Sequence, residues 1–362
     1  MTLAPTLVVG TGLVGTSVAL ALQAAGRLVV LADSDEAALA LAVARGAGRP
    51  LGAADEVSHV VLAVPPSAVA EVLRAALASH VGATVSDVCS IKSLAALEIE
   101  KNTPELARYV GGHPLAGSER GGPAAARPDL FVGRPWAITP HLEASPVALA
   151  AARSVAVDCG AQPIVLTPEA HDEAVGLVSH LPQAAASALA ATVGQHASQE
   201  AFALVGQGLR DSTRIAASPP QLWAQILGRN ARAVAPFVNE LAERLAHLGR
   251  ELGRGAGEAA VTALLTEANA AVGRLPGKHS TRREAVDVVI AVLKDAPGAL
   301  ASLLADAHTA GVNVEDIRIE HAQGAAIGAA RLLVLAGRGD GLAAALSAAG
   351  WSVSVEADEP AG

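Results

Sequence analysis

Very little in this chain can carry sulfur or aromatic chemistry. Among 362 residues there are two cysteines, one methionine and one tyrosine, and aromatic side chains make up only 2% of the total. Cys89 and Cys159 stand in no C-x-x-C or other paired spacing, so no structural disulfide is expected and the chain fits a reducing compartment. With rings scarce and 51% of residues hydrophobic, the core must be built from Ala, Val and Leu, which suits close helix packing and parallel strands. Runs of basic residues are missing as well. With a formal net charge of −9, that argues against nucleic acid or an anionic membrane surface as partner. The eleven histidines form no metal-ligand constellation, so no metal is expected. No stretch makes a convincing membrane span; the uncharged opening residues lack a basic leader, and Gly, Pro and Thr interrupt them. A cytoplasmic location is the expectation.

What is present begins with a nucleotide cradle. Thr6 to Val9 reads as a short buried strand, Gly10, Gly12 and Gly15 follow at G-x-G-x-x-G spacing, and Ser17 to Ala25 reads as an apolar helix. The first glycine permits the tight turn, the second lets backbone approach a pyrophosphate, and the third lets the helix pack on the strand, with its N-terminus facing the phosphates. Leu13 and Val14 belong to the same turn. A second strand, Leu28 to Ala32, ends at Asp33, where an acid bonds a ribose 2′-hydroxyl and repels a 2′-phosphate, which favours NAD over NADP; a plain turn residue is the alternative. His59 to Val64, closed by Pro65-Pro66, and Thr84 to Val88 continue the pattern as parallel strands whose C-terminal ends face the cofactor.

Two segments then carry chemistry. Ser86-Asp-Val-Cys-Ser-Ile-Lys92 closes the last of these strands, and Gly111-Gly-His-Pro-Leu-Ala-Gly-Ser-Glu119 follows the next. The run from His113 to Arg120, flanked by paired glycines, holds too many backbone-special residues for a helix or strand and reads as an active-site loop. These segments resemble the D-V-x-S-V-K and G-G-H-P-x-A-G-[ST]-E motifs of prephenate dehydrogenases. His171-Asp to Ser179-His-Leu-Pro182 resembles the family's H-D…S-H-L-P segment, and Arg210-Asp-Ser-Thr-Arg-Ile-Ala-Ala-Ser218 with Trp223 its [KR]-D-x-T-R-I-A-x-S…W segment. The resemblance covers roughly residues 5 to 225. Cys89 departs from it, standing where the family usually has glycine.

The resemblance implies oxidative decarboxylation of a cyclohexadienol, with NAD as acceptor. His113 is the candidate catalytic base, a largely neutral imidazole at cytoplasmic pH that accepts the hydroxyl proton. Ser90 is implied to orient the hydroxyl and the nicotinamide, or else it caps the following turn. A substrate with two carboxylates needs fixed cations. Arg214 is the first candidate because guanidinium grips carboxylate in a two-pronged way, and Arg210 shares its face if the segment is helical. His180 is implied to address the pyruvyl side chain. Glu119 is a candidate for a bond to Lys92, to a neighbouring arginine or to the substrate network, with a solvated loop carboxylate as the alternative. Ser218 has an alternative of its own as a helix N-cap before Pro219, and Trp223 as a core residue.

Between about 168 and 275 the periodicity is helical: Pro168 to Ser179, Ala184 to Val193, Gln199 to Arg210, Gln221 to Leu252 and Gly257 to Leu275. Apolar residues on more than one face call for extra burial, and an interlocked homodimer supplies it, which the resemblance also implies. Residues 276–284 read as a linker. The rest follows the β-α-β-β-α-β order of a ferredoxin-like unit: strand Val286–Leu293, helix Ala299–Ala310, strands Val312–Glu320 and Arg331–Leu335 around a turn at Gln323-Gly324, helix Leu342–Ala348 and strand Trp351–Val355. The segments around Asp295, Pro297, Gly298 and Asn313 resemble an ACT domain. That resemblance implies tyrosine as a feedback effector, with added dimer surface as the alternative.

The expected architecture is therefore a Rossmann-type doubly wound α/β domain (1–167), an all-α substrate and dimerisation domain (168–275), the linker, and an ACT-like unit (285–362). The expected activity is NAD-dependent conversion of prephenate to 4-hydroxyphenylpyruvate and CO2 in tyrosine biosynthesis. Arogenate dehydrogenase is the nearest alternative, and a non-catalytic NAD- and amino-acid-binding sensor the more distant one.

Overall fold

The computed structural model describes residues 4–94, 97–100, 103–117, 121–255, 257–275, 286–294, 296–321 and 327–357. Glu119, the linker 276–284, Asp295 and the turn at Gln323-Gly324 lie outside the described residues. Two compact units emerge, Met1–Glu243 and Arg244–Gly362.

The first unit is built on an eight-stranded sheet. Its strands are β1 (Thr6–Val9), β2 (Val29–Ala32), β3 (Arg49–Pro50), β4 (His59–Leu62), β5 (Thr84–Asp87), β6 (Tyr109–Pro114), β7 (Pro135–Thr139) and β8 (Gln162–Val165), in the spatial order β3-β2-β1-β4-β5-β6-β7-β8. All neighbours run parallel except β6 and β7, which are antiparallel. Successive side chains leave opposite faces of a strand, so each apolar run feeds two cores. Val8, Leu31 and Val61 join Leu22, Phe131 and Ile138 in one, while Leu7, Val30, Val60 and Val85 join Leu73 and Tyr109 in the other. Burial on both faces is why these strands read as continuous hydrophobic runs.

Within this frame His59 is a fully buried polar residue. Thr84 Oγ1 at 2.7 Å and Ser86 Oγ at 2.8 Å meet its two ring nitrogens, and burial pulls its pKa down to about 3, so it stays neutral.

The helical elements differ from the periodicity in informative ways. Pro168–Ser179 and Ala184–Val193 are one continuous run, Pro168–His196, joined by a π-turn over Gly176–His180. A prolyl nitrogen cannot donate to the preceding turn, and the widened π-turn ahead of Pro182 accommodates that loss. By length and composition this run could cross a membrane, but its buried His171, Asp172, His180 and Gln183 are hydrogen-bonded to protein groups. The segment expected as Gln199–Arg210 is two short helices, Gln199–Ala203 and Gln207–Thr213, the first capped by Ser198. The long run expected over Gln221–Leu252 breaks at Asn230, between helices Pro220–Arg229 and Ala231–Gly253.

The second unit contains helix Gly257–Val272 and a four-stranded antiparallel sheet. Its strands are β9 (Val286–Lys294), β10 (Asp316–His321), β11 (Ile327–Leu335) and β12 (Val353–Ala357), in the order β10-β11-β9-β12. Helices Ala299–Thr309 and Gly339–Ala348 cover one face, packing Leu303, Ala307, Leu342 and Leu346 on Val289, Ala291, Leu332 and Val334. In sequence the elements run β-α-β-β-α-β. Gly298 stands at the N-cap of the first helix with φ +85°, a backbone state that glycine adopts without strain.

Candidate active site

The turn after β1 is shaped by close approach. A Cβ on Gly10 would stand 2.3 Å from the Ala63 carbonyl oxygen, and one on Gly15 would stand 1.9 Å from the Gly10 carbonyl oxygen. Gly12 differs, since a Cβ there would meet no protein atom within 4 Å. That is the position at which a dinucleotide fold brings backbone against a pyrophosphate, at the head of helix Leu13–Ala24. Leu13 and Val14 begin that helix and pack against the first core.

Asp33, just past β2, accepts from the Thr11 amide and, at 2.7 Å, from the Thr11 hydroxyl. The Asp35 amide donates to its other oxygen at 2.9 Å. Burial alone would raise this carboxyl, but the Asp35 and Thr11 donors outweigh it and hold its pKa below the ordinary value. The result is an ionised acid tied directly to the glycine turn, which fits a ribose-binding role. Pro65 follows β4 by three residues and holds the N-cap of the 3₁₀ turn Pro66–Ala68, past the C-terminal end of that strand.

His113 departs from the expected loop. It lies within β6, paired with Ala137 of β7. The glycines before it serve close packing inside the sheet, because a Cβ on Gly111 would stand 2.5 Å from Thr139 Oγ1 and one on Gly112 would stand 2.6 Å from the Asp87 carbonyl oxygen. The paired glycines therefore let a strand run between crowded neighbours, which local sequence alone cannot distinguish from a loop.

Two residues form a relay with this histidine. His113 Nδ1 lies 2.8 Å from His171 Nε2, and His171 Nδ1 lies 2.9 Å from Asp172 Oδ1. The rings of His113 and His171 meet edge-on at 5.1 Å. The Asp172 carboxylate is anchored in turn by the amides of Lys92 and Ser93, each at 2.8 Å. Burial, reinforced by His171, Lys92 and His180, holds the His113 pKa well below its ordinary 6.5. Burial also lowers His171, against the opposing pull of the Asp172 carboxylate. For Asp172 burial works upward, and it is overcome by its bonds to His171 and to the Ser93 and Lys92 amides, so the acid titrates below its usual range. At neutral pH the relay is thus a carboxylate and two neutral imidazoles.

Lys92 ties this relay to the sheet. Its ammonium, fully buried, forms an ion pair with Asp87 and donates to the Gly112 carbonyl at 2.7 Å, one residue before His113. Asp87 also accepts from the Tyr109 hydroxyl at 2.6 Å and from the Cys89 amide at 2.7 Å. Cys89 is itself buried, and burial pushes its thiol up to about 11, so it packs as a small apolar group without thiolate character. Ser90 follows, half-buried at the C-terminal edge of β5, and its hydroxyl makes no capping bond among the described residues.

His180 is 1% exposed. Its Nδ1 lies 3.0 Å from Asn230 Nδ2, its ring meets Trp223 edge-on at 5.9 Å, and burial pulls its pKa down to about 4. Arg210 ends up on the short helix Gln207–Thr213 and Arg214 opens the 3₁₀ turn Arg214–Ala217; both are exposed. That turn packs on helix Leu181–His196, where Gln183 donates to the Ile215 carbonyl at 3.0 Å. Ser218 does not cap the next helix. Pro219 holds the N-cap position, and the Ser218 hydroxyl instead donates to the Ile215 carbonyl at 2.7 Å. In the second unit Pro297 and Gly298 form the turn before helix Ala299–Thr309, and the Asn313 side chain donates to Glu315.

Residue types and spacing alone did not single out His171, Asp172, Lys92, Asp87, Tyr109 or Asn230 as site residues. The first four lie inside recognised motifs, so their positions were visible and their roles were not. Nothing in the local sequence marks Asn230, which joins the site through contacts 50 and 58 residues away.

Comparison with known proteins bears on this arrangement. Residues 18–166 match the family model described as the nucleotide-binding domain of prephenate dehydrogenase, and residues 167–266 match the one described as its dimerization domain. A probable prephenate dehydrogenase of Streptomyces niveus is 34% identical over 324 residues, covering 86% of this chain and 89% of that protein. Among solved structures, the prephenate dehydrogenase of Aquifex aeolicus in complex with hydroxyphenyl propionate and NAD+ is 29% identical with a TM-score of 0.65, over 75% of this chain and 98% of that one. The arogenate dehydrogenase of Synechocystis is 26% identical with a TM-score of 0.60, over 74% and 98%.

Proposed function

The chain belongs to the prephenate dehydrogenase family, and from that premise we propose how its residues divide the work of the reaction. The protein is an NAD-dependent oxidoreductase that converts prephenate to 4-hydroxyphenylpyruvate and CO2 in tyrosine biosynthesis. NAD, held by the glycine turn and Asp33, would supply the hydride acceptor for the ring carbon that bears the hydroxyl. His113 takes the hydroxyl proton on Nε2 as the carbonyl forms. The carboxylate then leaves as CO2, and its bonding pair enters the ring, which becomes aromatic and pushes electrons onto the oxygen. His113 returns the proton to that oxygen, so the base ends the cycle neutral and no proton is gained or lost.

The observation that carries this reading is the relay His113–His171–Asp172, whose His113 stands at the end of β6, a strand parallel to those after which the glycine turn and Ser90 follow. A neutral base is required, and burial keeps His113 neutral well below pH 6.5. Gly10, Gly12, Leu13, Val14 and Gly15 hold the pyrophosphate, Asp33 the adenosine ribose, and Pro65 and Ser90 flank the nicotinamide. Arg214, supported by Arg210, binds substrate carboxylate, His180 addresses the side chain, and Ser218 and Glu119 complete the substrate network. Residues 1–167 form the NAD-binding domain and 168–275 the substrate and dimerisation domain of a cytoplasmic homodimer. Residues 285–362, after the 276–284 linker, form an ACT-like unit in which Asp295, Pro297, Gly298 and Asn313 frame a site for tyrosine as effector.

The direct test is NADH formation by the purified protein with prephenate and arogenate side by side. Faster turnover of prephenate is expected. A preference for arogenate would keep the chemistry and overturn the substrate; turnover of neither would remove the reading.

A further inference from the structure

His113 and His180 each contact one described side chain through Nδ1, and the two partners have opposite hydrogen-bonding character. On the His113 side the chain of bonds starts at a carboxylate. Asp172 can only accept, so the proton of His171 is on Nδ1 and its Nε2 carries a lone pair. That lone pair faces His113 Nδ1 at 2.8 Å, so the His113 proton is on Nδ1. A neutral ring has one proton, which leaves His113 Nε2 bare.

On the His180 side the chain starts at the backbone carbonyl of the same residue, Asp172. A carbonyl oxygen only accepts, so the group of Asn230 lying 2.8 Å from it is the amide nitrogen and not the amide oxygen. The same nitrogen lies 3.0 Å from His180 Nδ1, which must therefore accept, placing the His180 proton on Nε2. The Asn230 amide is buried and sits where the helix breaks, so it is held on both acceptors at once.

The geometry points to Asp172 and Asn230 as positioning residues that set the two histidines in opposite tautomers, His113 offering a lone pair and His180 an N–H, each at Nε2. This matches one class of ligand: a hydroxyl donor for His113 and, at His180, a group that accepts, such as a keto oxygen or carboxylate. An ammonium at the second position would set donor against donor. The selection of a keto-acid over an amino-acid side chain thus follows from a tautomer, and this step rests on the reading that His180 faces the substrate side chain.

The test uses ring-nitrogen NMR of the full-length, NAD-loaded protein with ¹⁵N-labelled histidine, signals being assigned with His113→Gln and His180→Gln variants. Expected are a protonated Nδ1 with bare Nε2 for His113 and the reverse for His180. In Asn230→Asp a carboxylate faces His180 Nδ1, so the His180 pattern inverts, His113 keeps its own, and the KM for prephenate rises about 10-fold with kcat changed much less. Asn230→Ala removes the donor without adding an acceptor, so the two His180 nitrogens average. Matching tautomers in the native protein, or a His180 pattern unmoved in both variants, would overturn the proposal. Absence of prephenate turnover would instead strike the functional reading, since the nitrogen pattern is read without catalysis.

Discussion

His113 is useful because its surroundings keep it neutral. A buried imidazole faced by His171, Lys92 and His180 resists protonation, so the acid limb of kcat/KM is expected below pH 6.5, as the base is lost only when pH falls through the depressed folded value. An acid limb at or above 6.5 would show that burial does not govern this group. Replacing His113 with Ala is expected to cut turnover about 10²- to 10⁴-fold with NAD binding preserved; near-normal turnover would remove it from the mechanism. For Arg214→Ala the expected change is mainly a higher KM, from loss of a charge-assisted carboxylate pair worth about 1.5 to 3 kcal/mol. An unchanged KM would assign Arg214 to structure.

At the scale of elements, the placement of His113 depends on a strand that threads between crowded neighbours. A Cβ at position 112 would stand 2.6 Å from the Asp87 carbonyl oxygen and 3.0 Å from Trp136 Nε1, neither of which can yield without moving β5 or a buried indole. Gly112→Ala should therefore cost on the order of 1–3 kcal/mol in denaturant unfolding and lower kcat by shifting β6. Gly82→Ala is the control, since a Cβ there meets no atom within 4 Å. Equal stability of the two variants would contradict the packing argument. The π-turn at Gly176–His180 has a related role. It carries the chain from His171 and Asp172 to His180 within one helix, where Asn230 spans both ends through the Asp172 carbonyl and the His180 ring.

Across the described residues, three buried histidines and the half-buried His113 make stability depend on pH. His59 is held down to about 3 and His180 to about 4, while His113 and His171 are also lowered. Each is neutral in the fold and protonated in the unfolded chain below 6.5, so unfolding binds protons there. Stability from these groups is complete above pH 6.5 and is lost as pH falls toward the folded values, by up to about 1.4 kcal/mol per pH unit for each histidine. Unfolding measured from pH 8 to 5 should show a plateau and then a decline; a flat profile would refute it. What the sequence determined by itself is what short-range periodicity and spacing encode: the early strands, the glycine turn after the first of them and Asp33 after the second, and the histidine and arginine motifs in their order. The tertiary structure decided what depends on partners far away in the chain. His113 lies in a strand because Asp87, Trp136 and Thr139 crowd its glycines, and Ser218 bonds back to Ile215 because Pro219 takes the cap position. His171, Asp172, Lys92 and Asn230 join the site because packing places a carboxylate and an amide behind two histidines, and no local pattern records a contact made across 58 or 80 residues.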